Sequence, residues 1–109
     1  WYTQIMNLAN LTQSAMNIRK KYSQLSINKT GKEWTRAEIA QGFVGDVGDL
    51  MKLVMAKEGI REIDNVDEKL KHELSDCLWS ILVLANEYDI DLEESFVNTM
   101  SDLGARFEA

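Results

Sequence analysis

The sequence contains no proline and only one cysteine, Cys77, in 109 residues. Without a second cysteine there is no intrachain disulfide and no cysteine-based zinc cluster. A reducing, cytoplasmic setting is therefore expected, with Cys77 as a buried apolar thiol. Basic residues are also scarce, with 12 Lys and Arg against 18 Asp and Glu, for a net charge of −6. A chain of this sign lacks the clustered basic surface that grips a nucleic-acid backbone. It suits a chelated cation better. No apolar run approaches the roughly 20 residues that span a bilayer, and the first residues lack the charged-then-apolar order of a secretion signal. A soluble protein that does not engage membranes is expected. Because the chain opens on Trp1 rather than methionine, we expect it to be the ordered part of a slightly longer one.

What is present is helical. Apolar residues recur at steps of three and four, and the alternation of a half-buried strand is nowhere sustained. With 45% hydrophobic residues, residues 1–109 are expected to form one domain with a modest core, since small domains bury a smaller share of their surface. The pattern predicts four helices. The first carries Ile5, Leu8, Leu11, Ala15, Ile18, Tyr22 and Leu25 on one stripe and gives way to a polar loop from Ser26 to Lys32. The second opens on a capping box of Thr35 with Glu38, has Trp34 and Ile39 in the positions of a hydrophobic staple, and should end near Gly59. Asn65 with Glu68, and Asp91 with Glu94, repeat the capping pattern for the third and fourth helices. The fourth is expected to bury Leu92, Phe96, Met100, Leu103 and Phe107.

Two acidic pairs stand out. At about 100° per residue, Ile39, Phe43, Val47, Leu50 and Val54 define the apolar stripe of the second helix, and Asp46 falls on its edge. An ionised carboxylate there is costly unless paired or bound to a metal. Asp49 lies one turn further on, roughly 60° around the axis. On the third helix Glu73 and Asp76 have the same spacing and border the stripe of Leu70, Leu74, Cys77, Ile81 and Tyr88. If the two helices pack antiparallel through these stripes, four carboxylates converge. Four such anions favour raised pKa values or a hard divalent cation with oxygen ligands, which magnesium satisfies. The plainer alternative is that each pair belongs to a solvated helix face. A di-iron bundle would need Glu-x-x-His motifs, yet Lys69 stands three residues before His72. A calcium loop from Asp89 fails at its sixth and twelfth positions, where Glu94 and Met100 stand.

These segments resemble the MazG-like all-α nucleotide pyrophosphohydrolases, whose signature is Glu-Glu-x-x-Glu on one helix and Glu-x-x-Asp on a later one. Here they read Gly45-Asp46-Val47-Gly48-Asp49 and Glu73-Leu74-Ser75-Asp76. Gly48-Asp49-Leu50 is similar to the family's Gly-Glu-Leu, and Ile90-Asp91-Leu92-Glu93-Glu94 resembles the turn into its last helix. The likeness runs from Trp34 onward and is most specific at Glu73 to Trp79. It departs at the first motif, where Gly45 replaces the leading Glu and each Asp is about 1.5 Å shorter than Glu. The resemblance implies a four-helix bundle-like MazG fold completed by oligomerisation into a dimer or tetramer. It also implies hydrolysis of a nucleoside triphosphate to monophosphate and pyrophosphate. Magnesium, or manganese in its place, would be held by Asp46, Asp49, Glu73 and Asp76 while an activated water attacks phosphorus. The competing reading is a helical oligomer that binds nucleotides or a partner protein without turnover.

Phosphates also need cations from the chain. Lys29, Lys32, Lys52, Lys69 and Arg61 lie near the expected site or are plain surface charges, with Lys52 the most interesting because it follows Asp49 by three. Asn98, Asp102 and Arg106 align at steps of four on the last helix. Asn98 and Arg106 are candidates for the site, and Asp102 with Arg106 equally suits a structural pair. Trp34 can stack on a base or simply serve as the staple. His72 reads as a surface residue. Gly42, Gly45 and Gly48 weaken a helix by about 1 kcal/mol each, which predicts close approach of another helix or of phosphates. Residues Cys77 to Ala85 are apolar nearly all round, with Trp79 and Val83 off the main stripe, so a homo-oligomer is expected to cover them.

Overall fold

A computed structural model describes residues 7–108. Among them the chain forms four α-helices and no strand: α1 (Leu8–Thr30), α2 (Arg36–Lys57), α3 (Val66–Glu87) and α4 (Leu92–Glu108). Ile5, placed on the first stripe, lies outside the described residues.

Local chemistry accounts for most helix ends. At α1, Asn10 N–H donates to Asn7 Oδ1 at 2.9 Å and Asn7 N–H returns a bond to Asn10 Oδ1 at 3.3 Å. The box expected at α2 is present: Glu38 N–H donates to Thr35 Oγ1 and Thr35 N–H to Glu38 Oε1, each at 3.1 Å. Both boxes satisfy donors that a first helical turn leaves open. Glu94 N–H donates to Asp91 Oδ1 at 3.1 Å, capping α4.

Two ends differ from expectation. The polar stretch from Ser26 is helical as far as Thr30, because its side chains brace the helix. Thr30 Oγ1 donates to the Ser26 carbonyl at 2.9 Å and the Gln24 amide to Asn28 Oδ1 at 3.0 Å. The helix stops where Gly31 adopts a φ of 76° and returns its N–H to the Ile27 carbonyl, a left-handed conformation that suits a residue without Cβ. At α3, Asn65 is itself left-handed, with a φ of 56°, and makes no side-chain cap bond. A cap needs an extended backbone to aim its side chain at the first turn. Glu68, expected as its partner, instead pairs with Lys71 at 3.2 Å.

α2 and α3 run antiparallel, joined near one end by Lys57 and Asp67 at 2.6 Å and near the other by Arg36 and Glu87 at 3.8 Å. α1 packs on α3. Ala15, Ile39, Leu82 and Val83 form the core, with Trp34, Trp79 and Leu92 against it. This corrects one expectation: the side of α3 bearing Trp79 and Val83 is covered by α1 of the same chain. The Trp79 indole N–H donates to the Ala15 carbonyl at 3.0 Å. α1 also buries Arg19, only 7% exposed. Its guanidinium donates to Glu87 at 3.0 Å, Ser23 at 2.9 Å and the Trp34 carbonyl at 2.6 Å.

The stripe on α4 is not buried as expected. Phe96, Met100, Leu103 and Phe107 are exposed, Phe107 to 90%. The radius of gyration, 17.0 Å, exceeds the roughly 13 Å of a compact 100-residue domain. α4 packs little against the other helices, and its apolar face is not folded onto them. No helix among the described residues is long and apolar enough to cross a membrane.

Candidate metal and nucleotide site

The antiparallel pairing of α2 with α3 sets Asp46 and Asp49 opposite Glu73. Each of the three offers an oxygen, and these oxygens all lie within 4.8 Å of one another. Asp76 is not in that group. Its Oδ2 is 3.2 Å from His72 Nε2, one turn back on α3. The structure thus brings three of the four expected acids together and turns the fourth toward the histidine.

Glu73 is the innermost of the acids. Its Oε1 is buried and has no hydrogen-bond partner. Burial pushes its carboxyl above the ordinary glutamate range. The hydrogen bond it would share with Asp46 and the negative charges of Asp46, Asp76 and Asp49 push it further in the same direction. Such a carboxylate needs either a proton or a cation. The donor set is hard oxygen from three acids, which fits magnesium or manganese. The buried orphan oxygen is the specific sign of that fit. Cys77, beside these acids, is buried, and burial followed by the charges of Asp46, Glu73 and Asp76 pushes its thiol upward. It stays a protonated packing residue.

Two hollows flank the acids. A cavity of about 440 Å³ is lined by Ile18, Tyr22, Trp34, Asp46, His72, Ser75, Asp76 and Trp79. The Tyr22 ring lies 5.5 Å from Trp34 and 5.8 Å from Trp79, centroid to centroid. On the other side, a cleft of about 480 Å³ at the α2–α3 turn is bordered by Asp49, Lys52, Glu68, Lys69, His72 and Glu73, among others. Both volumes fall within the 300–1,000 Å³ typical of small-molecule sites.

Of the expected substrate contacts, Trp34 lines the aromatic cavity and Lys52 the cleft. Arg61, Asn98 and Arg106 are exposed and line neither hollow. A Cβ built on Gly42, Gly45 or Gly48 would meet nothing within 4 Å, so the close approach expected along that row does not occur within the chain. Tyr22 and Trp79 were not expected as cavity walls; His72 is the exposed residue that was expected, and from the surface it borders both hollows. One signal was available: Trp79 follows Asp76 by three positions, which places it on the same side of α3.

The family model describing the MazG nucleotide pyrophosphohydrolase domain matches residues 46–108. The match begins at Asp46 and covers all four acids, though it starts later than the likeness read from Trp34 onward. No curated protein and no solved structure matches the chain. With more than half of its length matched by that model and its described residues wholly helical, the chain belongs to the MazG nucleotide pyrophosphohydrolase domain family.

Proposed function

We propose that this chain, as a single MazG-like domain over residues 1–109, hydrolyses nucleoside triphosphates to a monophosphate and pyrophosphate. Asp46, Asp49 and Glu73 would hold magnesium or manganese, with Asp76 completing the acid set. The observation that carries this reading is the buried, partnerless Oε1 of Glu73, a residue whose carboxylate is grouped with those of Asp46 and Asp49. When bound, a divalent ion supplies charge neutralisation for the phosphates and polarises the reacting phosphorus.

The chain's own groups do the rest. Asp76 stands outside the tight trio and is held by His72, so it is the acid best placed to orient the attacking water and accept its proton. The water oxygen forms a bond to the α-phosphorus. The bond from that phosphorus to the α–β bridging oxygen breaks, and its electron pair leaves with pyrophosphate. Trp34, with Tyr22 and Trp79, offers aromatic faces and few polar groups to a base. Lys52 faces the phosphates. Arg61, Asn98 and Arg106 line neither hollow of the single chain and take no part in this scheme.

The exposed stripe of α4 supports a homo-oligomer, dimer or tetramer, because apolar rows of that size on a soluble protein mark interaction surfaces. A reducing cytoplasm suits the lone buried Cys77. The test is incubation with ribo- and deoxyribonucleoside triphosphates plus magnesium or manganese, resolving pyrophosphate from orthophosphate. Pyrophosphate with monophosphate supports hydrolysis. Tight nucleotide binding without product would leave a nucleotide-binding helical oligomer.

A further inference from the structure

The acids divide between the two hollows. Asp46 and Asp76 border the aromatic cavity, Asp49 and Glu73 border the cleft at the α2–α3 turn, and His72 borders both. A ligand lying across the carboxylates therefore has one end in each hollow, and the ends meet different chemistry. The aromatic cavity has no lysine or arginine on its wall. The cleft has Lys52 and Lys69.

Those two lysines are available. Lys52 Nζ lies 4.0 Å from Asp49, too far for a hydrogen bond. Glu68, the remaining acid among the cleft residues, is engaged by Lys71 at 3.2 Å. Leu53, Ile63 and Asn65 complete the wall, and the first two give the lysine stems an apolar surface to lie on. Polyphosphate carries several negative charges beyond those that a metal at Asp49 and Glu73 neutralises. It needs cations on the far side of that metal.

We propose that the Lys52–Lys69 cleft seats the two terminal phosphates of the substrate and hence the leaving pyrophosphate; this rests on the pyrophosphohydrolase reading above. The site then has a direction, with the nucleoside toward α1 and the phosphate tail toward the α2–α3 turn. Triphosphates fill the cleft, and diphosphates leave its outer part empty.

The test is calorimetric titration of the whole chain with inorganic pyrophosphate in magnesium, and separately with a nucleoside monophosphate. Lys69→Ala and Lys52→Ala should each weaken pyrophosphate binding about tenfold, since a hydrogen bond to a charged group contributes on that scale. Both should leave monophosphate affinity within about twofold, whereas Lys69→Arg should retain most pyrophosphate binding. Lys21→Ala removes an equal charge from the exposed surface of α1, outside both hollows, and should change neither. Unchanged pyrophosphate affinity in Lys69→Ala, equal losses for both ligands, or no pyrophosphate binding by the parent chain overturns the proposal. If the parent releases pyrophosphate from triphosphates while Lys69→Ala binds it normally, the cleft is wrong and the reaction stands. If the parent releases none from any triphosphate, the reaction itself is wrong. Both lysines are exposed and alanine is a good helix former, and a thermal melt checks folding.

Discussion

Glu73→Gln should have opposite effects on stability with and without a divalent ion. In the metal-free chain Glu73 Oε1 is buried with no partner, and a buried unsatisfied polar group costs about 1–3 kcal/mol. A neutral glutamine keeps the shape, removes charge repulsion, and can donate its amide N–H to Asp46. The variant should therefore be more stable than the parent in EDTA by about 1 kcal/mol, the low end of that range. For a chain of this size that is roughly 4 °C in melting temperature. With magnesium at about a hundred times its dissociation constant, the parent gains about 2.7 kcal/mol by linkage. The variant gains little, because it has lost the innermost ligand. The order of the two melting curves should thus invert between EDTA and magnesium, and circular dichroism at 222 nm on matched samples reads it directly. A variant less stable than the parent in both buffers, or equal stabilisation of both by magnesium, would refute a metal held at Glu73.

Further outcomes follow from the same geometry. In EDTA the parent should lose stability relative to Glu73→Gln as pH rises from the ordinary glutamate value, about 4.3, through the raised native one. Over that window the folded state keeps a proton that the unfolded state has released, and urea titrations at several pH values give the difference. Gly42→Ala with Gly48→Ala should stabilise the chain by up to about 1 kcal/mol each, because a Cβ there meets nothing. A loss of stability together with a change in oligomeric size would mean that another copy lies on that row. Arg19→Ala should destabilise by about 3 kcal/mol, the low end for breaking a buried ion pair, since Arg36 remains 3.8 Å from Glu87; chemical denaturation measures it.

The parts of this molecule that were legible in its sequence are those set by neighbours along the chain. Thr35 and Glu38 close their box because both partners sit in one turn, and Asp46, Asp49 and Glu73 converge because i,i+3 spacing on two packed helices leaves them little choice. What escaped depends on long-range placement. Asn65 has the composition of a cap, but the reversal between α2 and α3 puts it in a left-handed conformation that aims its side chain elsewhere. Ser26 to Thr30 look like loop residues, yet the Thr30 hydroxyl donates back to the Ser26 carbonyl and Asn28 accepts from the Gln24 amide one turn earlier. The second apolar face of α3 looked like a subunit interface until α1 occupied it. The burial of Arg19 was hidden because the residue's type argues against it; only the meeting of Glu87, Ser23 and the Trp34 carbonyl makes it stable. The aromatic cavity likewise needs Tyr22 from α1 to meet Trp79 from α3. Neither helix announces the other.

The most direct test of the carboxylate site is hydrolysis of a nucleoside triphosphate in ¹⁸O-labelled water with magnesium, by the parent and by Glu73→Gln, followed by mass spectrometry of the products. The parent should yield a monophosphate carrying one ¹⁸O and unlabelled pyrophosphate, and Glu73→Gln should lower that yield by two orders of magnitude or more, as expected for loss of a group that stabilises the reacting phosphate. Label in the pyrophosphate, release of orthophosphate instead, or an undiminished rate in the variant would contradict the account.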